Sequence, residues 1–289
     1  MPTKIEKDAV TGTETTGHEW DGIKELNTPL PKWWLYTFYA TIVWALGYYV
    51  LYPAWPTLSG HTAGTLGWTM RGEIAEELAK ASAAQAPFVN RIADASLEDI
   101  SKSADLRNFA MAGGRSIFAE NCAPCHGSGG AGSKGFPNLV DDNWIWGGKL
   151  DDIHTTIQYG IRNANPESRI SQMPRFRTDG ILTLAQIDDV AEYVLSLSRR
   201  ARDQAAVRRG EPIFAENCVA CHQEGGVGNP EMGAPNLAAN IWPYGGDKAT
   251  LVETIRYSRA GAMPAWNERI DAARIKMLTV YVHALGGGQ

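Results

Sequence analysis

The sequence predicts an all-α protein, with one membrane-spanning helix near the N-terminus followed by two tandem copies of a small helical domain. Three observations carry this. The run Trp33–Tyr52 is apolar and uncharged; the stretch GRSIFAENCAPCHG from Gly114 returns as GEPIFAENCVACHQ from Gly210; and the likeness continues past both stretches into a closing amphipathic helix. The expected division is an N-terminal segment at 1–31, an anchor at 32–58, a helical spacer at 59–112, a first domain at 113–198, a basic linker at 199–209 and a second domain at 210–289.

Bulk numbers agree with that plan. A chain of 289 residues has room for about two domains by the usual one per 100–200 residues. With 44% apolar and 20% charged residues it can bury ordinary cores. A net charge of -5 supplies no basic face for displacing counterions from nucleic acid, so that partner class is excluded. The one basic run is Arg199, Arg200, Arg202, Arg208 and Arg209. It reads as a solvated helical linker, or as a contact with an acidic neighbour or lipid headgroups.

At about 1.5 Å per residue, Trp33–Tyr52 matches the roughly 30 Å hydrocarbon layer of a bilayer. Trp33 and Trp34 at one end, with Tyr48, Tyr49, Tyr52 and Trp55 toward the other, suit the two interfaces. A polar segment precedes the run and no small-residue cleavage site follows it, which argues against a cleaved signal peptide. Lys24 and Lys32 flank the first end, and no Lys or Arg occurs between Pro53 and Met70. That bias expects the N-terminus in the cytoplasm and the rest outside.

The Pro- and Gly-rich stretch YPAWPTLSGHTAGTLG reads as irregular. Arg71–Ala112 reads as helical, with Glu73, Glu76 and Glu77 early and a fresh start near Leu97 signalled by Ser96 and Asp99. It is expected to be a spacer holding the repeats near the membrane.

Within the repeats, Gly114, Phe118 and Cys122, like Gly210, Phe214 and Cys218, recur every fourth residue and so lie along one helix face. PNLVDDNWIWGG from Pro137 matches PNLAANIWPYGG from Pro235, and IHTTIQYGIR from Ile153 matches LVETIRYSRA from Leu251. Each repeat then reaches a Met-Pro pair, at Met173 and Met263, the first after a longer loop, and closes with VAEYVLSL or LTVYVHAL.

In C-x-x-C-H two thiols one helical turn apart can each form a thioether to a haem vinyl group while the following imidazole reaches the iron. Cys122, Cys125 and His126 form one such clamp, and Cys218, Cys221 and His222 the other. Zinc would want a second C-x-x-C within about 15–20 residues, and a thioredoxin-like dithiol would want a βαβ setting. Neither fits. The opposite face of each iron needs another ligand. Met173 is the only methionine between His126 and the second motif, so it is expected to face His126. After His222, Met232 is too close and Met277 lies in the closing helix, so Met263 is expected to face His222. His154 and His283 have no counterpart in the other repeat and read as packing or surface residues. The carbonyls of Pro137 and Pro235 are candidates to accept from the free ring N–H of His126 and His222. Trp144, Trp146, Trp242, Trp266, Tyr159 and Tyr257 are expected to pack around the porphyrins.

The repeat pattern resembles the class I cytochrome c fold, twice over about Gly113–Gly286. HEWDGIKELNTPLPKWW, AWPTLS and the single anchor are similar to the diheme subunit of cbb3-type cytochrome c oxidases, the CcoP/FixP family. The resemblance implies two covalently bound haem c groups, the first held by Cys122, Cys125, His126 and Met173 and the second by Cys218, Cys221, His222 and Met263. It implies partners: a catalytic haem-copper subunit, a monohaem cytochrome c subunit, a donor cytochrome c and membrane lipid. It also implies a bacterial inner membrane, with the haem domains periplasmic, and a chain that carries electrons toward a proton-pumping oxidase without doing bond chemistry itself. The alternatives are a tethered diheme carrier of another respiratory or dehydrogenase complex, and a dihaem peroxidase.

Overall fold

A computed structural model describes residues 4–288, which form two compact units divided between Ser82 and Ala83. The first opens on a hairpin of β1 (Thr15–Trp20) and β2 (Ile23–Leu26), a small departure from the all-helical expectation. Its turn is Asp21-Gly22, with φ of 51° and 85°, the positive-φ pair that two-residue hairpin loops favour. α1 (Lys32–Leu51) follows Pro31 and buries none of its residues, so its Trp, Tyr, Ile and Leu side chains form an exposed apolar cylinder. It is long and apolar enough to cross a membrane. The Pro- and Gly-rich stretch after it holds only β3 (Pro56–Thr57) paired with β4 (Gly60–His61). α2 (Met70–Asp94) begins in this unit.

The second unit is helical. It contains the end of α2, α3 (Leu97–Lys102), α4 (Ala104–Asn121), α5 (Ala123–His126), α6 (Leu150–Tyr159), α7 (Leu184–Leu197), α8 (Gln204–Asn217), α9 (Val219–His222), α10 (Lys248–Tyr257) and α11 (Ala272–His283). Several starts are coded by their caps. The Ser96 side chain accepts from Asp99 N–H, Thr183 forms a reciprocal box with Gln186, and Asp203, Asp247 and Asp271 cap α8, α10 and α11.

The helices pair across the repeats. The closing helix of the first repeat, α7, packs on the opening helix of the second, α8, while α11, which closes the second repeat, packs on α4, which opens the first. The spans 113–198 and 210–289 therefore do not pack as self-contained bodies. The physical reason is the short turn between Leu197 and Gln204: helices so joined fall back on each other as antiparallel neighbours. With α7 taken, α4 is covered by α11. The glycine of each motif sits at its crossing. A Cβ on Gly210 would lie 2.2 Å from the Asp189 carbonyl oxygen of α7, and one on Gly114 would lie 2.5 Å from that of Met277 in α11. The motif phenylalanines then meet tyrosines of the covering helices, Phe214 with Tyr193 at 5.0 Å and Phe118 with Tyr281 at 5.4 Å between ring centroids.

The second half of the expected spacer is core. Ile92, Leu97 and Ile100 are buried with Leu106, Ala110, Met277 and Val280, and Phe88 stacks on Phe109 at 4.9 Å. Lys276 of α11 donates to the carbonyls of Ala93 and Ala95, both at 2.7 Å, capping the end of α2. The basic linker meets acidic neighbours within the chain: Arg209 makes a two-pronged contact with Asp189 at 2.9 and 2.7 Å, and Glu192 accepts from Arg202 N–H at 3.0 Å and pairs with Lys248 at 3.1 Å.

Candidate functional site

Each C-x-x-C-H forms where a long helix ends and a single turn begins. Cys122 N–H donates to Phe118 O at 2.9 Å and His126 N–H to Cys122 O at 2.9 Å; the second motif repeats this with Cys218 to Phe214 at 2.8 Å and His222 to Cys218 at 2.9 Å. Cysteine and histidine thus stand one turn apart on a rigid step, as a clamp requires. The histidine rings are then oriented as the spacing to proline suggests. Nδ1 of His126 lies 3.0 Å from Pro137 O, and Nδ1 of His222 lies 3.0 Å from Pro235 O. A carbonyl only accepts, so Nδ1 carries the proton and Nε2 keeps its lone pair. Gly132 (φ 70°) and Gly228 (φ 86°) allow this, because a Cβ on Gly132 would lie 2.7 Å from Pro137 O and one on Gly228 2.8 Å from Ala234 O.

Burial lowers the pKa of both rings, outweighing the opposing pull of the proline carbonyls, so both imidazoles are neutral at pH 7. Burial, with the neighbouring cysteine second, pushes the Cys122 and Cys218 thiols up to about 11. As free groups they are protonated at pH 7.

The two methionines pack in the reverse of the order expected from chain distance. Met263 packs against the cluster of Phe118, Cys122, Ile157 and Leu278, which belongs to the first motif. Met173 packs against the cluster of Phe214, Val190 and Leu251, on which Cys218 of the second motif also packs. Backbone bonds hold the exchange. Ile161 and Met263 bond in both directions at 3.0 and 2.9 Å, Asn163 Nδ2 donates to Met263 O at 2.7 Å, and Phe176 N–H donates to Ile255 O at 3.2 Å. Met277, rejected as a ligand, is buried at the α4–α11 crossing.

Both motifs and both methionines line one continuous cavity of about 790 Å³. Trp144, Trp146, Trp242 and Trp266 are in its wall, whereas Tyr159, Tyr257, His154 and His283 are not among its lining residues. A flat apolar macrocycle with two carboxylates fits such a space. Its lining is dominated by aliphatic and aromatic side chains, and two buried donors in the wall, Arg259 Nε and Trp242 Nε1, have no hydrogen-bond partner among the described residues. Among the described residues no cluster of three or more His, Cys, Asp and Glu side chains could hold a bare metal ion.

One repeated feature escapes an alignment built on the tyrosines. Arg169 stands four residues before Met173, and Arg259 four before Met263. Each guanidinium lies over the aromatic ring at the matching loop position of its own repeat, Arg169 over Trp146 and Arg259 over Tyr244, both 5.2 Å from the centroid. Between that arginine and its methionine the chain crosses from one motif to the other. The signal is R-x-x-x-M-P, legible once the repeats are aligned from Met-Pro backward.

Comparison with known proteins gives one answer along the chain. Residues 12–59 match the family model described as the N-terminal domain of cytochrome oxidase-cbb3, FixP, and residues 109–194 and 205–282 match that of cytochrome c oxidase, cbb3-type, subunit III. The chain is 56% identical to the cbb3-type cytochrome c oxidase subunit CcoP of Azospirillum brasilense, over 98% of this chain and 99% of the relative. It is 54% identical to the FixP subunit of Bradyrhizobium sp. (strain ORS 278), over all of both chains, and 49% identical to CcoP of Cereibacter sphaeroides, over 95% of each.

Proposed function

Because this chain belongs to the family of cbb3-type cytochrome c oxidase subunit III, CcoP/FixP, we propose that it carries two haem c groups and relays electrons between them on the way to the oxidase's oxygen-reducing subunit. The chain is a membrane-anchored electron-transfer subunit of an oxidoreductase complex, in company with other oxidase subunits. In our reading those partners are the catalytic haem-copper subunit, a monohaem cytochrome c subunit and a donor cytochrome c. The N-terminus lies in the cytoplasm and both haem domains in the periplasm of a bacterial inner membrane.

The observation that carries this reading is the single cavity lined by both C-x-x-C-H motifs and both Met-Pro methionines. Haem c supplies a one-electron iron couple when bound. Cys122 and Cys125 would hold one group and Cys218 and Cys221 the other. His126 with Met263, and His222 with Met173, would supply the axial pairs, the methionine partners following the packing rather than the order along the chain. A saturated iron has no open position for oxygen or peroxide, and methionine ligation favours the reduced state. The chain therefore does no bond chemistry of its own. Exclusion of water by the apolar wall keeps the charge rearrangement on electron transfer small.

The experiment is carbon monoxide binding to the reduced, intact protein, read beside a covalent haem count. Two haems per chain and no binding are expected. Ready binding at either iron would make that site a peroxidase or sensor centre instead. Copurification with a haem-copper subunit separates this assignment from a tethered carrier of another complex.

A further inference from the structure

The first half of α2 is bare. Every residue from Met70 to Ser82 is exposed, and a helical stretch of that length is marginal in water unless something covers it. Its large apolar side chains are not scattered. Met70, Ile74 and Leu78, exposed at 67%, 53% and 65%, recur every fourth residue and form one stripe about 12 Å long, with Glu73, Glu76 and Lys80 on the other side of the helix. The end of α1 sets where this stripe begins. Thr65 N–H donates to Val50 O at 3.0 Å and Leu66 N–H to Leu51 O at 3.1 Å, so the chain doubles back onto the last turn of the span. The return is close: a Cβ on Gly64 (φ 73°) would lie 2.4 Å from Leu51 O. Rings lock it. Tyr49 meets Trp55 at 5.0 Å and Tyr52 meets Trp68 at 5.7 Å between centroids, and Trp68 Nε1 donates to Glu73 of α2. From Pro53 to Met70 there is no Asp, Glu, Lys or Arg, while Leu58 and Leu66 are exposed. A collar of Trp and Tyr over an uncharged return is the composition that a bilayer interface favours.

We propose that Met70, Ile74 and Leu78 lie in the lipid headgroup layer at the C-terminal end of α1, so that the first turns of α2 rest on the membrane as an interfacial helix. This rests on α1 as the membrane span. Lipid covers the stripe, rather than another protein, because the stripe begins two residues after Trp68, whose ring already packs on Tyr52 at the end of that span. The contact is apolar and not ionic. Glu73, Glu76 and Glu77 gain nothing from anionic headgroups, so added salt leaves the helix in place. One helix then meets lipid at its start and protein core at its end, where Ile92 is buried.

The test is photocrosslinking of the full chain in its native membrane, with the photoreactive residue benzoylphenylalanine replacing Ile74, Leu78, Glu76 or Lys80 one at a time. All four side chains are exposed, so none of the replacements disturbs a core. Mass spectrometry then reads what each position has captured. The expected result is phospholipid adducts at Ile74 and Leu78, several-fold above those at Glu76 and Lys80 and unchanged at high salt. Equal lipid yields at all four positions, or capture of another polypeptide at Ile74 and Leu78, overturns the proposal. A second measurement needs no crosslinker: in phosphatidylcholine nanodiscs, Ile74→Asn with Leu78→Asn should speed trypsin cleavage after Arg71 and Lys80 several-fold, and an unmoved rate counts against lipid cover. A wild-type chain that washes off the membrane at alkaline pH overturns the span itself, which the crosslinking outcomes leave standing.

Discussion

Met263 and Ile161 exchange both of their backbone hydrogen bonds, at 2.9 and 3.0 Å, which ties the methionine of the second repeat to the first. Met263 packs against the cluster that holds Phe118 and Cys122, so the bond pair fixes which motif this methionine lies beside. In the proposed assignment each site then draws residues from both repeats.

The ligand exchange is tested with the second clamp removed. In a Cys218→Ala, Cys221→Ala background only the haem at Cys122 and Cys125 remains. Met263→Leu should lower its midpoint and Met173→Leu should leave it in place. The reverse outcome would restore the pairing expected from chain order.

The helix crossings are tested at Gly210. Alanine in a helix is ordinarily better than glycine by about 1 kcal/mol. Here the added Cβ meets the backbone oxygen of Asp189 at 2.2 Å, which cannot rotate away. Overpacking of that kind costs about 1–3 kcal/mol, so the clash wins. Gly210→Ala should lower the denaturant midpoint, and Gly114→Ala should do likewise.

Acid stability should pass through Glu192. Burial alone would raise its carboxyl, but the N–H groups of Arg202 and Asp203 and the ammonium of Lys248 outweigh it and hold the group below the ordinary carboxylate range. A depressed folded pKa means the contribution is complete above the unfolded value of about 4.3 and is lost as pH falls through the folded one. Glu192→Gln should flatten the acid limb of a stability profile below about pH 4. An identical acid limb would remove Glu192 from that role.

Lys276 holds the end of α2 through the carbonyls of Ala93 and Ala95. Each lost charge-assisted bond is worth about 1.5–3 kcal/mol. Lys276→Ala should expose the α2–α3 junction to limited proteolysis near Ala95 before the rest of the chain is cut. Cleavage no faster than in wild type would contradict the capping role.

The sequence alone was enough for the apolar N-terminal helix, the repeat and the proline carbonyls that orient His126 and His222, and it singled out eight residues that the fold brings to one cavity. Those signals are local: an uncharged run, a C-x-x-C-H turn, a Met-Pro pair and a short loop are all read within a few dozen residues. The β1–β2 hairpin was also local, in its Asp21-Gly22 turn, but six residues of mixed polarity hid the alternation. What only the tertiary structure decided was which repeat completes which site. Met173 and Met263 look alike along the chain, and so do α7 and α11. The choice between partners is made by the short connection from Leu197 to Gln204, which folds α7 back on α8 and leaves α4 to α11. Closure of that kind depends on chain geometry summed over both repeats, and no residue pattern within one repeat encodes it.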